Sequence, residues 1–309
     1  LILLLMRTSS ELVPGLTWTV AGVGCLGWIV IHVLWQMVSV PEANEWFKQP
    51  VIIGNKPFAL YLILLTGYWS VYLQLFLTMP LYIRDFVDTS DLVQYVAEFS
   101  PMLVDFLAFV DPDALRTAIQ KLPELSGAST GELAAFQQQL VHYKVLVPIE
   151  EIEKMALASA QHNLDLAIVA SQWAASYRQV NPEYLINIDF AAIVMLQLLV
   201  SYICRSLATV KVLITGVVIF SLACFLAIQA KDTVLGGSII VGVIFLMAIG
   251  EIVTSPKSQE YVASISPKGQ SALFMGYYYV SVALGSLFAG LLSGWAYGEL
   301  AKSADRPDL

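Results

Sequence analysis

The chain has 309 residues, of which 58% are hydrophobic and only 13% charged, and its mean hydropathy is +0.72. That balance excludes an ordinary soluble domain and predicts a protein that lives in a bilayer. The formal charge of −8 gives no reason to invoke nucleic acid as a partner.

The opening segment LILLL is too short to cross a membrane and lacks the basic leader and cleavage site of a signal peptide. It reads as the tail of a helix lost upstream, which makes the chain a fragment. Charge-free runs then cover residues 12–41, 57–83, 190–204, 212–230, 234–250 and 269–298. Most approach or exceed the roughly 20 residues that cross about 30 Å of hydrocarbon. The 190–204 run reaches that length only with residues 184–189, which puts Asp189 near a membrane face. Six spans are expected. The division is 1–56 (a lost helix end, one span and a cytoplasmic linker), 57–83 (a span), 84–183 (an insertion), 184–297 (four spans) and 298–309 (a tail).

The insertion holds 6 basic and 14 acidic side chains, against 10 of each elsewhere, so the whole net charge belongs to it. Its three long segments carry apolar residues at i, i+3, i+4 spacing and predict three or four amphipathic helices. Asp111, Pro112 and Asp113 mark one start, Ser129 or Thr130 before Glu132 a second, and Pro148 before Glu150 and Glu151 a third. Pro123, Ser126, Gly127 and Ser129 mark a loop. Helices that lie on membrane surfaces are normally rich in Lys and Arg, whereas these polar faces are mostly acidic. The expectation is a cap that packs on itself and on the outer ends of the spans. Basic residues in the short loops weakly favour an extracytoplasmic insertion.

Cys25, Cys204 and Cys224 lie in apolar runs without metal or disulfide spacing, and His32, His142 and His162 are scattered. No paired acids, nucleophile elbow or phosphate loop appears. The chain is expected not to be an enzyme and to use no cofactor or metal.

In the fifth run the apolar pattern stops at one acid, Glu251, in GEIVTSP. Ionisable groups inside a membrane are costly and are kept mainly where they face a pathway or partner. The alternative is that Glu251 snorkels or pairs with Lys257. Upstream, Trp69, Tyr72 and Gln74 lie within about 200° of arc on one helix, flanking an inward stripe, although Trp69 and Tyr72 also suit packing or interfacial positions. Gln197 is a further candidate to bind solute or ion, or else bonds a neighbouring helix, and Asn187 and Asp189 either cap their helix or touch cargo. On the last run Gly290, Gly294 and Gly298 repeat every four residues, with Gly285 a turn earlier, and predict a packing face. Pro256 and Gly276 are expected to mark bends.

The stretch from Gly250 through Trp295 resembles the tenth and eleventh helices of major facilitator superfamily transporters. Gly250, Glu251, Ser255, Pro256, Glu260, Tyr261, Pro267, Met275 and Gly276 are similar to the pattern of its proton-dependent oligopeptide transporter branch. GYWSVYLQLFLTMPLYI resembles that branch's seventh helix, and EYLINIDFAAIVMLQLLVS its eighth. The resemblance implies an all-α polytopic membrane protein: a partial major-facilitator-type bundle of about six spans with a helical extramembrane insertion. It further implies the C-terminal half of a transporter whose N-terminal half is missing, with residues 12–40 as either the sixth helix or a linker helix. Glu251 falls where the family's acid holds a cationic group of the substrate. Tyr278 falls where an aromatic lines the cavity, and Trp69, Tyr72 and Gln74 sit on the seventh helix. Where the family carries an acid just before the Gln, this chain has Leu73, so the usual proton path is not implied.

The expected function is secondary active transport of a small organic solute, peptide-like or amphipathic, by alternating access with a coupled proton or cation, in an inner or plasma membrane. The alternative is a membrane-anchored binding or assembly protein whose acidic insertion is the working part.

Overall fold

The computed structural model describes residues 56–161, 165–231, 233–295 and 297. The expected span over 12–40, the tail, Gly298, Cys25, His32 and His162 lie outside the described residues. Within them the backbone is helical apart from loops and one isolated bridge, Val145 to Arg178. Five helices are long and apolar enough to cross a membrane: Lys56–Leu77, Pro182–Cys204, Thr209–Ala230, Gly236–Ile265 and Ser271–Trp295. This is an all-α polytopic bundle with a helical insertion between the first and second of these described spans.

The first of these spans comprises α1 (Lys56–Tyr72) and α2 (Gln74–Leu77), separated at Leu73, and α3 (Met79–Phe86) follows it into the insertion. The remaining spans are α10 (Pro182–Cys204), α11 (Thr209–Ala227), α12 (Gly236–Ile265) and α13 (Ser271–Leu292). α12 is the central span and packs on α10, α11 and α13. It runs as one helix through Pro256, where the missing N–H removes a single rung of the ladder.

Close backbone approaches set the seams. A Cβ on Gly216 would collide with the Thr254 hydroxyl and lie 3.0 Å from the Gly250 carbonyl oxygen; one on Gly250 would lie 3.1 Å from the Gly216 oxygen. α11 and α12 therefore touch backbone to backbone. α13 turns Phe274, Tyr278, Ser281, Gly285 and Ala289 inward, one residue every three or four, as a helix face requires. A Cβ on Gly285 would sit 2.6 Å from Trp69 Cβ and 3.1 Å from the Thr66 carbonyl, so this glycine seats α13 on α1. The packing face expected at Gly290 and Gly294 is corrected here. Both are exposed, with nothing within 4 Å of an added Cβ, because the inward register ends on Ala289 and rotates its neighbour outward.

The insertion holds α4 (Ser90–Phe99), α5 (Pro101–Leu107), α6 (Pro112–Ala118), a 3-10 turn (Ile119–Leu125), α7 (Thr130–Val141), α8 (Ile149–Gln161) and α9 (Leu166–Ser176). Pro101 splits the first long apolar segment into α4 and α5, since the residue before a proline is forced into extended backbone; Ser100 has φ −161° and ψ 115°. The caps match the sequence signals. Asp111 accepts from the N–H groups of Asp113 and Ala114, and Ser129 with Glu132 forms a reciprocal capping box. Leu115, Ile119, Leu122, Phe136, Leu140, Ile152 and Trp173 belong to a core of the insertion's own.

The insertion is also bound to the bundle. Gln179 Oε1 accepts from the Thr89 N–H at 2.6 Å and from the Thr89 hydroxyl at 2.8 Å. Its Nε2 donates to Asp88 Oδ1 at 3.2 Å, and the Val180 N–H donates to Thr89 Oγ1 at 2.9 Å. Entry and exit strands of the insertion are thereby pinned together. Asp91 then reaches the first turn of α12, its Oδ2 accepting from the Ser238 N–H at 2.8 Å and the Ser238 hydroxyl at 2.6 Å. That is where a negative charge opposes the positive end of a helix.

Candidate functional site

The site is built from three helices that each contribute one side chain to a shared polar cluster. On α1 the buried positions are Phe58, Leu65, Trp69, Ser70 and Tyr72, and Tyr72 is the last residue before the interruption at Leu73. On α10 the buried positions are Leu185, Ile186, Asp189 and Ala192; the same helical register that buries three apolar residues buries the carboxylate. On α12, Glu251 follows Gly250 at the contact with α11 and is half-buried.

The Tyr72 hydroxyl joins the two acids. It lies 2.6 Å from Glu251 Oε2 and 3.3 Å from Asp189 Oδ2. A phenol has one hydrogen to donate, so it serves one carboxylate at a time. Asp189 is 0% exposed, and its Oδ1 has no hydrogen-bond partner among the described residues. Neither acid has a salt-bridge partner among those residues. Lys257, the cation nearest in sequence to Glu251, pairs with Glu260 at 2.8 Å, so Glu251 is not neutralised by it. One fully buried and one half-buried acid thus share a single donor, at a place where an unpaired charge costs several kcal/mol.

Aromatic rings hold the Tyr72 phenol in place. Trp69 stands edge-on at 5.4 Å and Phe76 at 5.7 Å, Phe220 lies tilted at 5.8 Å, and Tyr68 stacks parallel at 6.3 Å. Such pairs fix ring orientation as well as burying area.

The other sequence-derived residues lie elsewhere. Gln74 Nε2 donates to the carbonyls of Ser70 at 3.1 Å and Ala289 at 3.0 Å, which makes it a tie between α2 and α13 and takes it out of the polar cluster. Tyr278 is buried and shares a 3.1 Å bond with Ser258 Oγ, whose residue's carbonyl accepts from Tyr61 at 3.2 Å. Ser258 is seven residues beyond Glu251, about 10 Å along α12, so Tyr278 belongs to a second polar cluster. Ser255 supports that cluster by accepting the Ser258 hydroxyl at 2.7 Å. Asn187 is exposed on α10, two positions from Asp189 and so on a different face. Gln197 donates to Ser201 on its own helix at 3.2 Å. Sequence reasoning left Asp189 open between a cap and a contact with cargo, and passed over Tyr68, Phe220 and Gly216. For Asp189 the signal was present: an acid inside the length its span needs.

Residues 156–301, a little under half of the chain, match the family model described as Major Facilitator Superfamily. The match takes in all four spans from α10 to α13, including Asp189, Glu251 and Tyr278, and supports a membrane transporter of that superfamily. No curated protein and no solved structure matches the chain.

Proposed function

We propose that the chain is the solute-handling part of a secondary transporter, in which Asp189, Tyr72 and Glu251 form an ion- or proton-binding centre beside the solute path. The observation that carries this reading is the single phenol between a buried and a half-buried acid, with no cation paired to either among the described residues. A structural ion pair would be self-sufficient; this arrangement is complete only with a bound positive charge. The superfamily match over the same spans supports transport as the work that the centre performs.

Three helices meet at the centre, and each moves differently when one part of a bundle rocks against another, as alternating access requires. Movement of α1 relative to α10 and α12 changes which carboxylate Tyr72 serves. That couples the charge state of the centre to conformation. The aromatic surround of Trp69, Tyr68, Phe76 and Phe220 suits a small organic solute, peptide-like or amphipathic, better than a bare ion.

The test is solute-driven current in proteoliposomes of the full-length protein, screened with di- and tripeptides and amphipathic amines. Glu251→Gln and Tyr72→Phe are each expected to reduce the transported current at least about tenfold, the effect of losing about 1.4 kcal/mol. Wild-type current and wild-type pH dependence in Glu251→Gln would refute the proposal.

A further inference from the structure

The insertion carries an apolar stripe that its own core does not use. Tyr95 and Phe99 lie one turn apart on α4, Met102 and Phe106 one turn apart on α5, and Phe109 two residues past the end of α5, and all are exposed. Phe99 is 85% and Met102 80% accessible, which no packing requirement within the insertion explains. The opposite side of the same helices is engaged: Val104 and Ala108 are buried, and Leu92, Val93 and Leu107 pack on the core of the bundle.

We propose that α4 and α5 lie in the plane of the membrane interface, with this stripe sunk into the headgroup and acyl boundary. Continuity with the membrane-facing surface of the bundle identifies lipid as the occupant. Phe106 stacks on Tyr184 at 5.0 Å, at the first turn of α10, and the outward side of α10 continues from there through exposed Phe190, Val194, Met195 and Leu198. The stripe therefore prolongs a span's lipid face around its end, at the level where aromatic residues collect. Interfacial helices bury their apolar face about 5–10 Å into this zone. Free amphipathic helices need Lys and Arg to reach a membrane. Here the Asp91 to Ser238 bonds and the Thr89 to Gln179 clamp already hold the pair at the bundle's end, so the exposed acids of these helices, Glu98 and the Asp105 that pairs with Arg178 at 2.9 Å, are no obstacle.

The experiment is nitroxide accessibility in the full-length protein, reconstituted in phosphatidylcholine liposomes. Cys25, Cys204 and Cys224 are replaced by alanine, and single labels are placed by Phe99→Cys, Met102→Cys or Phe106→Cys. Val194→Cys on α10 and Lys121→Cys on the insertion give the lipid and water references. Labels at the stripe are expected to collide freely with oxygen and several-fold less with NiEDDA than the label at 121, as the label at 194 does. NiEDDA collisions equal to those at 121 would place the stripe in water and overturn the proposal. Exclusion of both reagents would overturn it equally, by showing a protein cover such as a second copy. Met102 makes so little contact that its label leaves folding intact, and bimane at the same position, quenched or not by dibrominated lipid, repeats the measurement.

Discussion

Tyr72 has one hydroxyl hydrogen and two carboxylates within reach, and that shortage sets the behaviour expected of single substitutions. Asp189→Asn removes a buried charge whose Oδ1 has no partner among the described residues while keeping the side-chain shape. Thermal stability of the purified protein is therefore expected to stay level or rise as transport falls. A residue kept for packing would lose both together, and a melting curve beside an uptake assay separates the two outcomes. Glu251 was legible in the sequence because it ends a charge-free run in a recognisable pattern. Asp189 was hidden by its position near the start of a span, where an acid also serves as a cap. Nothing in a linear sequence says that residues 72, 189 and 251 meet; that follows from the packing of α1 and α10 against α12.

At the level of helices, the glycines separate into two kinds that spacing alone does not distinguish. Gly285→Ala forces a methyl toward Trp69 Cβ and the Thr66 carbonyl and is expected to cost about 1–3 kcal/mol, read as a lower melting temperature in detergent. Gly290→Ala meets open space and is expected to be neutral or favourable by up to about 1 kcal/mol, through helix propensity. Four-residue periodicity predicted a packing face on this helix, and one exists, but its phase is fixed by Trp69 on another helix. The capping signals of the insertion read correctly because a cap is local chemistry between residues three apart. Ser129's N–H and hydroxyl hold the Glu132 carboxyl below its ordinary range. With the folded value depressed, the stabilisation is complete above the unfolded value and is lost as pH falls through the folded one. Amide protection over residues 130–133, taken relative to the intrinsic exchange rate at each pH, is therefore expected to fall on acidification, and Ser129→Ala, expected to cost about 1 kcal/mol, should lower it at neutral pH.

Across the whole molecule, hydropathy was enough to read the five described spans, and charge asymmetry set the insertion between them apart. That the insertion sits on the span ends was expected, but the residues that hold it there were not readable, because Gln179 and Thr89 are 90 residues apart and neither belongs to a motif. Gln179→Ala is expected to free residues 87–93 and 178–183 to exchange their amides faster while protection around Trp173 persists, since that core is self-contained. Loss of protection throughout the insertion would show that the clamp is part of its fold. The same attachment has a mechanical consequence. Because Asp91 grips the opening turn of the helix that carries Glu251, the insertion is a handle on that helix. A pair of fluorophores on the insertion and on another end of the bundle would then register each tilt of α12 as a change in energy transfer, with no probe placed inside the bilayer.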